Sequence, residues 1–218
     1  MIRVNPYSFS TKSYSKKNVA VPSVYSSRVS APEVSFFGAQ RLLPNGNYPK
    51  KLIKLISLDI DGTISDRLSN KVSDELKEAV KSVMSRGIKV ILNTGRHYED
   101  ALKVAKELDL DSPIICNYGQ YIKQNGRLIY ENPIYKVDLK GDTLEYLANQ
   151  MGIKKENIMS IGNDYEDASM FKKSGTAVFI ENNYSSFFDG DEARPFANYI
   201  TDNENYSGVA LAIKKLVK

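Results

Sequence analysis

The stretch that decides the fold is residues 52–65, LIKLISLDIDGTIS. Its first part is an apolar run with β-branched character, which predicts a buried strand over 52–60. Asp59 and Asp61 stand at the carboxyl end of that run, two positions apart. Because ligands of α/β folds bind beyond the carboxyl ends of strands, the polar residues after each apolar run are the candidate site residues.

Strands and helices alternate from residue 52 onward. The further expected strands are 88–92, 113–116, 157–161, 176–180 and 197–201, the last at an edge, and the expected helices are 72–86, 98–108, 143–151, 166–172 and 207–217. A hairpin is expected over 121–130, turning at Asn125-Gly126, a pair that type I′ turns favour. The alternation predicts an α/β fold, a doubly wound parallel sheet with helices on both faces.

Residues 1–50 have a different composition from the rest of the chain. They carry nine serines and seven basic residues against one acid, so their net charge is +6 within a total of +4. With no sustained period of 2 or 3.6, they are expected to form a disordered leader, and 51–218 the folded body. A basic, serine-rich start also resembles an organellar transit peptide, so that alternative stays open beside a cytoplasmic location.

Composition excludes several classes of protein. No apolar run approaches the roughly 18 residues of a membrane span. Cys116 and His97 are the only cysteine and histidine of the sequence, which excludes a disulfide framework and a Cys- or His-rich metal site. Since the excess positive charge lies in 1–50, the body offers no basic face and no nucleic-acid partner is expected. The oligomeric state is left open.

The polar residues behind the expected strands point to one kind of chemistry. The segments that would converge at one sheet edge are 59–63 (DIDGT), 93–96 (NTGR), 117–119 (NYG), 140–141 (KG) and 162–167 (GNDYED). Carboxylates gathered there repel one another, and Mg²⁺ would relieve that repulsion. A lysine and a threonine hydroxyl suit phosphoryl oxygens. One carboxylate can then attack phosphorus while another exchanges protons with the leaving oxygen and with water.

The segments LDIDGTIS (58–65), ILNTGR (91–96), KG (140–141) and IGNDYEDASMF (161–171) carry a resemblance. In order and spacing they resemble the four motifs of the haloacid dehalogenase superfamily, and they are most similar to its Cof-type, sugar-phosphatase-like branch. The resemblance covers essentially residues 52–218, including the stretch ICNYGQYIKQNGRLIYENPI over 115–134.

The resemblance implies a Mg²⁺-dependent phosphatase that forms an aspartyl-phosphate on a small phosphorylated metabolite. Asp59 would be the nucleophile, Asp61 the general acid/base, and Thr94 and Lys140 the groups that hold phosphoryl oxygens and neutralise charge. The substrate pocket would be lined by Gly95, Arg96 and Asn117. The metal ligands would come from Asp59, Asp61, Asn163, Asp164 and Asp167.

Two features depart from the family pattern. The fourth motif usually reads GDxxND, whereas here the neutral Asn163 stands at the ligand position and Glu166 replaces the usual asparagine. In addition, only 20 residues separate Gly119 from Lys140, so the cap domain is expected to be reduced to a short hairpin, which would admit larger substrates. These departures leave an alternative open: a catalytically weak, phosphatase-like protein that binds a phosphorylated ligand or partner.

Overall fold

The structure is a computed structural model that describes residues 38–66, 69–134, 139–181, 192–202 and 206–218. All of these residues belong to one compact unit, Pro32–Lys218. The part of the expected leader that covers residues 1–37 lies outside the described residues. Within the described ranges, no helix combines the length and the apolar composition needed to cross a membrane.

Nine strands and five α-helices build the described part of the chain. The strands are β1 Gln40–Arg41, β2 Leu55–Leu58, β3 Lys89–Leu92, β4 Ile114–Cys116, β5 Tyr121–Gln124, β6 Arg127–Glu131, β7 Ile158–Gly162, β8 Thr176–Glu181 and β9 Tyr199–Asp202. The helices are α1 Asp74–Met84, α2 Tyr98–Glu107, α3 Lys140–Gln150, α4 Ala168–Lys172 and α5 Gly208–Leu216. Six strands form a parallel sheet in the order β1-β9-β8-β7-β2-β3, and β4, β5 and β6 form a small antiparallel sheet.

Alternate side chains of the parallel sheet pack into two separate cores. Ile56 and Leu58 face the core that α1, α2 and α5 complete. Leu55 and Ile91 face the core that α3 and α4 complete. Because successive strand residues point to opposite faces, this alternation places helices on both sides of the sheet. The predicted doubly wound α/β fold is confirmed.

Local sequence signals account for several element ends. The hydroxyl of Ser73 caps α1 by accepting a hydrogen bond from the Leu76 N–H at 3.3 Å. Behind that helix, Gly87 takes a φ of +81°, which a glycine adopts without a steric penalty. Asn125 and Gly126 both have positive φ, 52° and 75°, as the type I′ turn between β5 and β6 requires.

Two strand expectations are corrected by the topology. The segment predicted as a third parallel strand, β4, is parallel to β3 at one bridge, Asn93–Ile115, but along its length it pairs antiparallel with β5. The chain reverses direction directly after β4, so β5 returns alongside β4 and pairs with it in the antiparallel direction. In addition, β9 does not end the sheet, since β1 pairs with its outer side.

The boundary expected at residue 50 is also wrong, because the body already begins before β1. Leu42 and Tyr48 are buried, and the Arg41 guanidinium contacts Glu181 at 2.6 Å and Asp202 at 2.5 Å. A strand of two residues is too short to show a hydrophobic period, so the sequence pattern did not reveal it.

The packing of the β1 segment can be tested by truncating one of two adjacent leucines. Leu42 is 2% exposed and Leu43 is 40% exposed. Leu42→Ala should lower the free energy of unfolding by about 2–5 kcal/mol, because it leaves a cavity in the core. Leu43→Ala should change it by no more than about 0.5 kcal/mol. Urea unfolding of both variants measures the difference, and equal values would contradict a folded β1 segment.

Candidate active site

Several loops meet at the carboxyl edge of the parallel sheet and enclose a cavity of about 580 Å³. They follow β2, β3, β4 and β7, and the first turn of α3 joins them. The side chains and glycine that line the cavity are Asp59, Asp61, Asn70, Gly95, Arg96, Asp100, Tyr118, Lys140, Asp164 and Glu166. The structure thus brings together the segments that the sequence placed at one sheet edge.

Lys140 lies at the centre of this arrangement and is almost completely buried. Its ammonium group donates to Asp59 Oδ1 at 2.8 Å and to Asp167 Oδ1 at 2.7 Å, and Glu166 Oε2 lies 4.0 Å away. Burial lowers the pKa of Lys140, but the surrounding carboxylates outweigh it and raise this pKa above its usual value. The lysine therefore stays charged in the interior.

The position of Lys140 depends on close packing between α3 and α4. Helix α3 begins at Lys140, three residues before the expected start at 143. Next to it, a Cβ on Gly141 would lie 2.3 Å from the carbonyl oxygen of Ser169. The Ser169 hydroxyl accepts a hydrogen bond from the Gly141 N–H at 3.0 Å. The Lys-Gly pair thus allows the lysine to enter the site from a helix that touches the fourth motif.

Asp59 follows β2 and faces the cavity although little of it is exposed. Its Oδ2 lies 3.2 Å from the Thr63 hydroxyl, which also donates to Asn163 Oδ1 at 2.7 Å. Burial, with smaller contributions from Asp167 and Asp61, raises the pKa of Asp59 to about 7, while Lys140 counteracts the rise. A further positive charge in the cavity would favour the ionised form of this carboxyl group.

Asp167, expected to be a metal ligand, has a different role in the structure. Its side chain is fully buried, and Oδ1 accepts from Lys140. Its Oδ2 accepts from the backbone N–H groups of Asn163 and Asp164, at 2.9 and 3.1 Å. With both oxygens engaged in this way, Asp167 anchors the lysine and the loop, so the expected ligand role does not fit this geometry.

Asp61 forms a bidentate ion pair with Arg96. The guanidinium donates from Nε to Oδ2 at 3.0 Å and from Nη2 to Oδ1 at 2.8 Å. Arg96 also donates to Asn70 Oδ1 at 2.7 Å. The carboxylate raises the pKa of the guanidinium. The pair fixes both side chains at the cavity wall.

The oxygen donors around Asp59 fit a hydrated Mg²⁺ ion. Among the described residues, no group of three or more His, Cys, Asp or Glu side chains is arranged to hold a metal. The candidate oxygens are Asp59 Oδ2 and Asn163 Oδ1, which both face the Thr63 hydroxyl. Mg²⁺ usually binds through one or two carboxylates and keeps several waters. Five carboxylates and two cations line the cavity, and this excess of negative charge also favours a cation.

Of the three residues expected to line the substrate pocket, the structure places two in the lining of the cavity. Gly95 and Arg96 line the cavity, whereas among the described lining residues Tyr118 takes the place expected for Asn117. Thr94 is buried, and its hydroxyl oxygen accepts from the Arg96 N–H at 3.2 Å. Sequence reasoning missed Asn70 and Asp100, and it gave no site role to Tyr118 and Glu166, although both belong to the quoted segments. Tyr118 lies inside the quoted NYG segment, which was the signal available for it.

Comparison with known proteins identifies the class to which this fold and site belong. A model of the haloacid dehalogenase-like hydrolase family matches residues 56–140 and 135–213. The chain is therefore a member of the haloacid dehalogenase-like hydrolase family.

Individual relatives agree with this assignment. Phosphoglycolate phosphatase 1 of Saccharolobus solfataricus is 32% identical over 98 residues, which are 45% of this chain and 40% of the relative. The chain spans less than half the length of the curated relatives it matches. A haloacid dehalogenase-like hydrolase from Bacillus subtilis has a similar fold, with a TM-score of 0.62 at 18% identity over 76% of this chain and 100% of that one. The subclass IIB sugar phosphatase BT4131 also has a TM-score of 0.62, at 15% identity over 74% of this chain and 98% of that one.

The buried charge cluster predicts a large cost for removing its lysine. Lys140→Met should lower the free energy of unfolding by about 3–5 kcal/mol, because it leaves Asp59 and Asp167 buried without their cation. Lys173 provides the control, since it contacts Glu145 at 2.6 Å on the surface. Lys173→Met should cost no more than about 1 kcal/mol. Chemical denaturation measures both, and similar costs would show that Lys140 does not hold the cluster together.

Proposed function

We propose that this protein is a Mg²⁺-dependent phosphatase that hydrolyses phosphate monoesters through an aspartyl-phosphate on Asp59. The observation that carries the proposal is the buried lysine between two carboxylates, one of which faces a cavity of substrate size. A lysine held in this way supplies a fixed positive charge beside the candidate nucleophile. The family membership and the phosphatase names of the relatives support the same reaction class.

In the proposed reaction, the Asp59 carboxylate attacks the phosphorus atom and the ester oxygen leaves. Lys140 holds the attacking carboxylate in place and offsets the charge that gathers on the phosphoryl oxygens. A Mg²⁺ ion held by Asp59 and Asn163 would supply additional shielding between the carboxylate and the phosphate dianion. Thr94, at the end of the neighbouring strand, is the proposed hydroxyl partner of the phosphoryl group.

Asp61 is the proposed general acid/base. It would protonate the leaving oxygen in the first step and take a proton from the attacking water in the second. In the structure Arg96 engages both of its carboxylate oxygens. We infer that Arg96 orients Asp61 before substrate binds and then moves its contacts to the phosphorylated substrate, which frees an Asp61 oxygen for the proton transfer.

The charges of the cavity limit the substrates that we propose. Five carboxylates line it against Lys140 and Arg96, so a leaving group with its own carboxylate would be repelled. Phosphoglycolate, the substrate in the name of several relatives, carries such a carboxylate. We therefore propose a small phosphorylated metabolite with an uncharged leaving group, and we keep the cytoplasm as the expected compartment.

The nucleophile is tested by Asp59→Asn, which keeps the shape and removes the attacking charge. Hydrolysis of phenyl phosphate with Mg²⁺ should fall at least about 10³-fold, which corresponds to roughly 4 kcal/mol of barrier. Asp74→Asn is the control, because that carboxylate is 97% exposed on the surface of α1. If the Asp59 variant keeps more than about a tenth of the activity, the aspartyl-phosphate mechanism is wrong. Binding of phosphate without any hydrolysis in the unaltered protein would instead favour the phosphatase-like binding protein.

The metal site is tested by restoring a charge at position 163. Asn163→Asp should lower the Mg²⁺ concentration for half-saturation about tenfold or more, since one charge-assisted contact contributes roughly 1.5–3 kcal/mol. Calorimetric titration with Mg²⁺ gives the same comparison without turnover. Asp164→Asn is the companion variant: if it abolishes Mg²⁺ binding while Asn163→Asp has no effect, Asp164 is the ligand. Unchanged binding in both variants would place the cation elsewhere.

A further inference from the structure

Tyr118 stands in a backbone conformation that tyrosine rarely adopts. Its φ and ψ are 56° and 29°, in the left-handed region, and the preceding Asn117 has a φ of 53°. Asparagine tolerates this region, but a bulky side chain there is strained. Strain of this kind persists where the surrounding structure enforces it, and it often marks a functional position.

The neighbouring contacts show what enforces this conformation. The Asn117 N–H donates to the Arg96 carbonyl at 2.8 Å, and the Tyr118 N–H donates to the Thr94 carbonyl at 3.1 Å. On the other side, a Cβ on Gly119 would lie 2.3 Å from the carbonyl carbon of Leu139. The backbone is thus fixed on both sides. A glycine at position 118 would meet these constraints without strain, so they do not explain why a tyrosine stands there.

The side chain of Tyr118 lies at the mouth of the cavity. Its ring packs over Gly95, where a Cβ would come within 2.4 Å of the ring carbon Cε1. The residue nevertheless remains 41% exposed and lines the same cavity as Asp59 and Lys140. One side of the tyrosine is therefore supported by backbone, while part of the residue remains exposed at the cavity.

We propose that Tyr118 is a specificity-determining residue whose ring selects phosphate esters with a flat leaving group. The inference rests on the proposed phosphatase function, since a phosphoryl group bound at Asp59 would direct the leaving group toward the cavity mouth. The shared chemistry is a ring face, either aromatic or the C–H face of a cyclic sugar, stacked on the tyrosine. The chain between Gly119 and Lys140 supplies a hairpin as its described secondary structure, and Tyr118 provides the apolar wall beside it.

Phosphonates test this role without turnover, because their C–P bond survives a phosphatase. Calorimetry in the presence of Mg²⁺ should show phenylphosphonate binding about tenfold more tightly than methylphosphonate, as one stacked ring allows. Tyr118→Phe should keep this ratio. Tyr118→Gly should reduce it to about one while leaving the affinity for methylphosphonate within twofold.

A stability measurement separates this role from a structural one. Tyr118→Gly removes the strain, so its thermal midpoint should stay the same or rise by about 2–4 °C. A tyrosine that only packs the loop would instead lower the midpoint and weaken both phosphonates equally when it is removed. Phe196→Ala is the matched control for the loss of a half-exposed aromatic ring away from the cavity. Phe196 is 43% exposed and lies outside the residues that line the cavity.

Further measurements identify the kind of ring that Tyr118 recognises, and they separate the proposed role of Tyr118 from the proposed phosphatase function. If Tyr118→Gly raises the KM for both phenyl phosphate and glucose 6-phosphate but not for glycerol 3-phosphate, the Tyr118 ring accepts aromatic and sugar rings alike. A rise for phenyl phosphate alone assigns an aromatic leaving group. Equal phosphonate affinities in the unaltered protein overturn the role of Tyr118 and leave the phosphatase proposal standing. If neither phosphonate binds, the role of Tyr118 is overturned, and the phosphatase proposal is overturned as well only if phenyl phosphate is not hydrolysed.

Discussion

The contact on which the site depends is the buried ion cluster of Lys140 with Asp59 and Asp167. A charged ammonium group in the interior costs several kcal/mol unless close carboxylates surround it. The two contacts of 2.8 and 2.7 Å meet that requirement and join three segments that are far apart in the chain. The strand end after β2, the start of α3 and the loop after β7 are therefore fixed relative to one another by charge.

Close backbone approaches allow this cluster to form. A Cβ on Gly141 would collide with Ser169, and a Cβ on Gly162 would lie 2.3 Å from Asp167 Oδ2. Both glycines bring the fourth motif against the lysine. The same loop shows why the departure at Asn163 is tolerated by the fold: its backbone N–H is held by Asp167, and its side chain is held by Thr63. Neither contact needs a carboxylate at position 163.

The sequence by itself predicted the fold class and most of the elements. Alternation of buried strands with amphipathic helices such as α1 follows from hydrophobic periodicity, and Ser73, Gly87 and Asn125-Gly126 mark their ends through local backbone chemistry. The order and spacing of the motifs also predicted Asp59, Asp61, Arg96, Lys140 and Asp164 as neighbours. These features depend on residues close in the chain, or on the rule that parallel strands present their carboxyl ends at one edge.

The tertiary structure decided the features that depend on contacts between distant segments. The pairing of β1 with β9 involves two residues of each strand and leaves no hydrophobic period in the sequence. Asp167 anchors Lys140 because of the way the loop after β7 folds against the start of α3. Asp61 and Arg96 form their ion pair although 35 positions separate them in the chain. Tyr118 lines the cavity, and its backbone lies in the left-handed region. Such a conformation is enforced by neighbours across the fold, whereas residue type alone would argue against it.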